Sequence, residues 1–239
     1  MAIIECIDVT KTYLLGKVEV KALQGISFSI EEGDFISVAG PSGSGKTTIL
    51  NLMGCIDVPT AGSIKITDQL TEGMSDGEKT DLRHNVLGFI FQSFNLIPVL
   101  NVYENIEFPL LLGKTKETFF STKSEKEDWI EYLVEQVGLM EWKKHKPNEL
   151  SGGQRQRVAI ARALATKPKI VLADEPTANL DSETGEGIIE LMKKINREQK
   201  TTFIFSTHDP SIMGIADHLI RLHDGKIKSE ERLGKNIKD

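Results

Sequence analysis

Long apolar runs are missing from this 239-residue chain. No stretch approaches the roughly 18 residues that a membrane-crossing helix requires, and the N-terminus lacks the basic and apolar regions of a signal peptide. A role at a membrane is therefore expected to come through a partner. Cysteine is nearly absent. Cys6 and Cys55 are far apart and lack metal-type spacing, so buried free thiols in a reducing compartment are the expectation. Positive charge is also short: a formal net charge of -6 argues against a general nucleic-acid binder, because neutralising phosphates needs a basic surface. Repeats and low-complexity segments are lacking too. What remains, 39% hydrophobic and 27% charged, is the make-up of one large α/β domain, or of one domain with a subdomain.

The most informative stretch is Gly40-Pro41-Ser42-Gly43-Ser44-Gly45-Lys46-Thr47, which fits GxxxxGK[ST] at every fixed position. It follows Phe35–Ala39, an apolar run with the length of a buried parallel strand, and leads into the helical pattern Thr48–Met53. Glycines let successive N–H groups point inward and form, with the helix N-terminus, a nest for polyphosphate. Lys46 is expected to reach the outer phosphates and the Thr47 hydroxyl to ligate Mg2+.

Either side of this loop the chain reads as a β-rich start followed by alternating strands and helices. Ile3–Val9 and Val20–Ile30 have strand character, with Tyr13 between them as either a half-buried strand residue or a ring that stacks on a base. Ser63–Thr67 alternates as a strand, and Ser75 with Glu78 makes a capping box. Gly88–Phe91 is another apolar run, ending at Gln92, which in a nucleotide site binds Mg2+ or the attacking water. From Asn95 to about Val137 the pattern turns helical. Ser124 with Glu127 is expected to cap a helix whose Trp129, Ile130, Leu133, Val134 and Val137 share one face. Gly113–Lys123 is a polar, Lys-rich loop carrying Phe119-Phe120, whose rings either tuck into the subdomain or meet a partner.

Leu150-Ser151-Gly152-Gly153-Gln154 then opens a helix expected from about Arg155 to Ala165. Its serine and glycines make a second potential phosphate site. One chain rarely needs two such sites for one nucleotide, so the second is expected to serve the nucleotide of another subunit. Ile170–Ala173 is a buried strand ending in Asp174-Glu175, placed to hold Mg2+ and to polarise water. Asp181 caps the next long helix, and Ser206-Thr207-His208 ends the following strand. A last strand near Leu219–Leu222 turns at Asp224-Gly225, and the segment beyond Ser229 reads as a charged tail.

With these motifs in order, the chain resembles the nucleotide-binding subunit of an ABC transporter over nearly its whole length. Leu150–Gln154 reads as the signature motif without departure, and Gly40–Thr47 as Walker A. Gln92 falls at the Q-loop, Ile170–Asp174 with Glu175 at Walker B and its base, Ala178–Asp181 at the D-loop and His208 at the H-loop. The resemblance implies an α/β P-loop ATPase: a mostly parallel core sheet and an antiparallel β subdomain over about 1–94 and 168–228, and a helical subdomain over about 95–167. It implies ATP and Mg2+ as cofactors, with Mg2+ held by Thr47, Gln92 and Asp174. ATP is to be held by Gly40–Thr48 and Gln92, by Tyr13 as the adenine-stacking ring, and by Ser151–Gln154 and Asp181. It implies catalysis by Glu175, His208, Lys46 and Gln92. The implied partners are a second copy and integral membrane permease subunits, at the cytoplasmic face of the inner membrane, with no nucleic acid. Val18–Leu23, Leu96–Asn105 and Ala178–Asp181 look most like the lipoprotein-releasing and macrolide-exporter branch, from which Gly113–Lys123 departs by its length and aromatic content. A soluble ABC ATPase acting on DNA or ribosomes is disfavoured by the single nucleotide domain, the absence of a coiled-coil insertion and the acidic balance. A division-associated ATPase working through a membrane protein stays open.

Overall fold

The structure is a computed structural model that describes residues 2–112 and 120–232. In chain order its strands and helices are β1 (Ala2–Leu15), β2 (Val18–Glu31), β3 (Phe35–Ala39), α1 (Lys46–Met53), β4 (Ala61–Ile66), β5 (Gln69–Leu70), α2 (Asp76–Val86), β6 (Leu87–Ile90), α3 (Val102–Glu107) and α4 (Lys123–Gln136). There follow α5 (Gly152–Leu164), β7 (Ile170–Ala173), α6 (Ser182–Gln199), β8 (Thr202–Thr207), α7 (Pro210–Met213), β9 (His218–His223) and β10 (Lys226–Arg232).

Two sheets carry the architecture. One has four strands in the order β2-β1-β4-β5, all antiparallel. In the other, of order β10-β9-β3-β8-β7-β6, every pair is parallel except β9 with β10. The central strands β3, β7 and β8 are buried along their whole lengths, as expected for a parallel sheet covered on both faces. Alternation splits their side chains between two cores. Phe35, Val171, Phe203 and Phe205 join the helical subdomain and α6, whereas Ile36, Val38, Leu172 and Ile204 join α1 and the antiparallel sheet. Each of these large side chains, fully buried, contributes roughly 1.5–3 kcal/mol.

The helical subdomain packs through Ile106, Ile130, Leu133, Val134, Val158 and Ile160. Asn105, completely buried, saturates its amide on that subdomain's entry loop: Oδ1 accepts from Ile97 N–H at 2.8 Å, and Nδ2 donates to the carbonyls of Ile97, Leu100 and Asn101 at 3.2, 2.9 and 3.0 Å. Both cysteines are free and buried, and burial pushes their thiols up. Among the described residues no helix is long and apolar enough to cross a membrane.

The predicted capping boxes differ in one place. Ser75 and Glu78 form theirs, but α4 is capped by Thr122, whose hydroxyl accepts the Glu125 N–H at 3.1 Å, rather than by Ser124. Two overlapping Ser/Thr-x-x-Glu frames compete there, and the earlier one has the extended backbone a cap requires. The charged segment from Ser229 is not a tail as far as Arg232. It continues β10 as an edge strand, with Glu230 opposite Ile220 and Arg232 opposite His218. Its outward charges, the usual dress of an edge strand, are what made it read as solvated chain. The charged tail expected over 233–239 and the Phe119 ring lie outside the described residues; Phe120 sits under the Lys167 ammonium, 4.6 Å from the ring centroid.

Candidate active site

The site is assembled where β3, β8 and β7 end side by side. β3 delivers the phosphate loop, and two of its glycines are compulsory. A Cβ on Gly40 would lie 2.3 Å from the Leu222 carbonyl, and Gly45, the α1 N-cap, has φ 103 and would press a Cβ 2.7 Å from the Ala22 carbonyl. α1 has no acidic residue of its own in its first turn, so negative charge reaches its positive end only from other elements. Ser44 is buried, with a hydroxyl that has no hydrogen-bond partner among the described residues.

Lys46 is only 6% exposed, and its ammonium fills the loop's centre. It donates to the carbonyls of Gly40 at 2.9 Å and Pro41 at 3.0 Å, and lies 3.5 Å from Glu175 Oε1. The same carboxylate oxygen is 3.3 Å from Nδ1 of His208, whose ring is largely exposed. Three of the four predicted catalytic residues therefore meet at one atom. Below them Thr47 Oγ1 donates to Asp174 Oδ1 at 3.1 Å, which brings together two of the three predicted Mg2+ ligands.

Gln92 is not drawn into this cluster. Its backbone carbonyl accepts from Asn179 Nδ2 at 2.8 Å, and among the described residues no hydrogen bond joins its side chain to Thr47 or Asp174. The following residues, Phe94 and Asn95, sit at φ 62 and 48, a strained region for an aromatic residue. Arg162 of α5 holds that bend, donating to the carbonyls of Phe94 at 2.7 Å and Asn95 at 2.6 Å. The Arg155 guanidinium lies 5.2 Å from the Phe94 ring centroid.

The second glycine-rich stretch begins α5 at Gly152, three residues ahead of the expected start. Ser151 and Gln154 close a capping box, with Ser151 Oγ accepting the Gln154 N–H at 3.2 Å and Gln154 Oε1 accepting the Ser151 N–H at 2.8 Å. The box places both glycines inside the first helical turn, where their N–H groups have no intrahelical partner. A Cβ on Gly153 would lie 2.5 Å from Thr184 Cγ2, so α5 packs tightly on the start of α6. Asp181 caps that helix through the Thr184 N–H at 3.0 Å, and this backbone bond holds its carboxyl below the usual range. Among the described residues no hydrogen bond or ion pair joins Ser151–Gln154 to the phosphate loop.

Tyr13 lies beside α1 but is anchored elsewhere. Its hydroxyl donates to Asp57 Oδ2 at 2.8 Å, and Lys11 Nζ, which donates to Asp57 Oδ1 at 2.6 Å, stands 4.9 Å from the ring centroid. Burial pushes the phenol up, and the hydrogen bond to Asp57 adds to that. Sequence reasoning missed Asp57, Arg162 and Ser206 as parts of this assembly, and read Asn179 only as a member of the D-loop stretch. Ser206 left one signal, a hydroxyl directly after the apolar run Phe203–Phe205; Asp57 and Arg162 are legible only from contacts over long sequence distances.

A phosphate loop facing a strand-end acid pair, with a capped glycine helix start held apart on a helical subdomain, defines an ATPase cassette. The chain belongs to the ABC transporter family, whose model matches residues 23–178. It is 46% identical over 226 residues to an uncharacterized ABC transporter ATP-binding protein, MJ0796, from Methanocaldococcus jannaschii, with 95% of each chain covered. It is 43% identical over 225 residues to the macrolide export ATP-binding/permease protein MacB of Bdellovibrio bacteriovorus, covering 94% of this chain and 33% of that one. Among solved structures, the dimeric post-hydrolysis state of MJ0796 bound to ADP and Pi superposes with a TM-score of 0.87 at 44% identity, covering 97% of this chain and 99% of that one. The chain is thus an ABC transporter ATP-binding subunit and an ATPase, and the MacB relatives fall in the branch its sequence resembles.

Proposed function

We propose that this subunit hydrolyses ATP at the interface of a homodimer and uses the resulting opening to drive a membrane permease, in the manner of lipoprotein-releasing or macrolide-exporting systems. The observation that carries the dimer is the presence, in one chain, of two phosphate-type helix starts that make no bond to each other. Each ATP then lies between the Gly40–Thr48 loop of one copy and Ser151-Gly152-Gly153 of the other. The dimeric state of MJ0796 supports this reading.

In the closed dimer the ammonium of Lys46 exchanges the Gly40 and Pro41 carbonyls for phosphate oxygens, a stronger charge-assisted pairing. Freed from Lys46, Glu175 takes a proton from water as that water attacks the γ-phosphorus. The bond to the β–γ bridging oxygen breaks, and ADP and phosphate result. His208 contacts the γ-phosphate, Tyr13 offers its ring to the adenine, and Asp181 and Gln154 steady the partner's signature loop. The Thr47 hydroxyl and Asp174 carboxylate, hard oxygen donors 3.1 Å apart, fit Mg2+, with Gln92 as a further ligand once its loop swings in. When bound, Mg2+ neutralises charge that develops on the phosphates.

The permease reading is supported by the groove of about 400 Å³ between the α/β body and the helical subdomain, lined by Phe89, Phe91, Asn95, Ile97, Phe108 and Pro109. It runs along the bend that follows Gln92, so a partner seated there feels the loop move. The subunit would lie peripherally at the cytoplasmic face of the membrane. The test is capture of tagged Glu175→Gln protein from detergent-solubilised native membranes with ATP and Mg2+, with mass spectrometry of what stays bound. A permease with a large extracytoplasmic domain is the expected prey. Ribosomal or DNA-repair proteins with no membrane protein would contradict the reading.

A further inference from the structure

We infer that Ser206 is a positioning residue for ATP hydrolysis, setting the geometry of both acids that end β7. Its place follows from register. β7 and β8 are parallel with Ala173 opposite Phe205, so the next residue on each strand, Asp174 and Ser206, stand side by side. On its other flank Ser206 pairs with Val38 of β3, two residues before the phosphate loop. Ser206 is completely buried at the centre of the sheet, where an unpaired hydroxyl is costly.

The hydroxyl has one hydrogen, and its neighbours fix where that hydrogen goes. Glu175 N–H can only donate, and it points at Ser206 Oγ at 2.8 Å. Asp174 Oδ1, a carboxylate oxygen, accepts from Ser206 Oγ at 2.7 Å. The same Oδ1 takes the Thr47 hydroxyl at 3.1 Å. The result is a directed chain from the Glu175 amide through Ser206 to Asp174, met from the other side by Thr47. Two hydrogen bonds on Oδ1 set the carboxylate's rotation and leave Oδ2 without a hydrogen bond among the described residues.

Glu175 needs this support. Its backbone is at φ 43, a conformation most side-chain-bearing residues avoid, and its carboxylate meets both Lys46 and His208. Ser206 gives its amide a buried acceptor in that conformation. Removing the hydroxyl leaves the Glu175 N–H unpaired and Asp174 with only Thr47, so the metal-holding carboxylate and the basic carboxylate lose alignment together. The inference rests on the site reading proposed above.

The test compares Ser206→Ala and Ser206→Thr with wild type for kcat, for KM and, in a Glu175→Gln background that does not turn over, for the Mg2+ concentration giving half-maximal ATP binding. Ser206→Ala is expected to lower kcat about tenfold, one hydrogen bond's worth, with KM changed less than about twofold. Its half-saturating Mg2+ is expected to rise several-fold, and Ser206→Thr, which keeps the hydroxyl, to recover both. The inference is overturned if Ser206→Ala leaves kcat and the Mg2+ requirement at wild-type values. It is also overturned if activity falls only with Tm while the Mg2+ requirement stays fixed, or if Ser206→Thr, melting like wild type, shows the alanine defect. Asp174→Asn and Glu175→Gln measured alongside separate the two levels: if they hydrolyse ATP normally the site reading itself fails, and if they are dead while Ser206→Ala is silent only the role of Ser206 fails.

Discussion

The phosphate loop and the signature stretch are both glycine-rich starts of helices, yet one is wired into the body of the protein and the other is not. Around the loop every charged group has an answer within the chain: Lys46 has two carbonyls and Glu175, and Asp174 has Thr47 and Ser206. Around Ser151–Gln154 the answer among the described residues is local, a capping box that serves Ser151 and Gln154 themselves. A site that satisfies its own charges can exist in one copy. A helix start that offers N–H groups with no acceptor for them among the described residues suits a ligand or a second copy. Between the two stands the Gln92 bend, tied to the D-loop by Asn179 and to the signature helix by Arg162 and, among the described residues, hydrogen-bonded to neither phosphate site.

The largest break in this contrast should come from Glu175→Gln. Loss of a general base lowers kcat by about 10²–10⁴-fold, while ATP binding persists and sedimentation shows an ATP-dependent dimer; near-normal turnover would remove Glu175 from the role. Next, Ser151→Arg should abolish the homodimer, in which both shared sites carry the substitution, when introduced into the Glu175→Gln protein, yet leave the monomer's ATP affinity within about twofold, since it lies outside the wired site. A matching loss of monomer affinity would mean that both stretches hold the same nucleotide in one copy. Lys46→Ala, by contrast, should weaken ATP binding to the monomer by about 10–100-fold, the value of a lost charged hydrogen bond, as read by nucleotide titration. Unchanged affinity would count against the phosphate-loop assignment.

The smallest effect sharpens the comparison from the structural side. Asp181→Ala removes the cap of α6, beside the signature stretch, and should lower Tm by about 3 °C. Because the folded Asp181 carboxyl is held below its ordinary value, its contribution is present above the unfolded pKa and is lost as pH falls through the folded one. The Tm gap between wild type and Asp181→Ala should therefore close in acid and persist at neutral pH; a constant gap would assign the loss to packing instead.

What was legible in the sequence follows the same division between local and distant chemistry. Gly40–Thr47, Ser75 with Glu78, and Asp181 are written in residues a few positions apart, and the structure places each where the pattern does. The parallel core was legible as well, because β3, β7 and β8 are short runs with an apolar centre, Phe35-Ile36, Ile170–Ala173 and Phe203–Phe205. Competition between near-equal local signals misled the reading at Thr122 and Ser124, and alternating charge hid the edge strand to Arg232. The contacts of Ser206 and Arg162 were hidden for another reason: their partners are 31 and 68 residues away, so only strand register and helix packing reveal them.

The most direct test of the central claim is to mix two damaged proteins. Lys46→Ala keeps an intact signature stretch, and Ser151→Arg keeps an intact phosphate loop. Each alone should be nearly inactive as an ATPase. If each nucleotide bridges two copies, mixed dimers contain one whole site built from the good half of each protein, and ATPase activity should return in part, up to about a quarter of wild type for independent sites and random pairing. If both proteins are inactive alone and stay inactive when mixed, while wild type diluted by either loses activity only in proportion, the two stretches do not share a nucleotide across copies and the account is wrong.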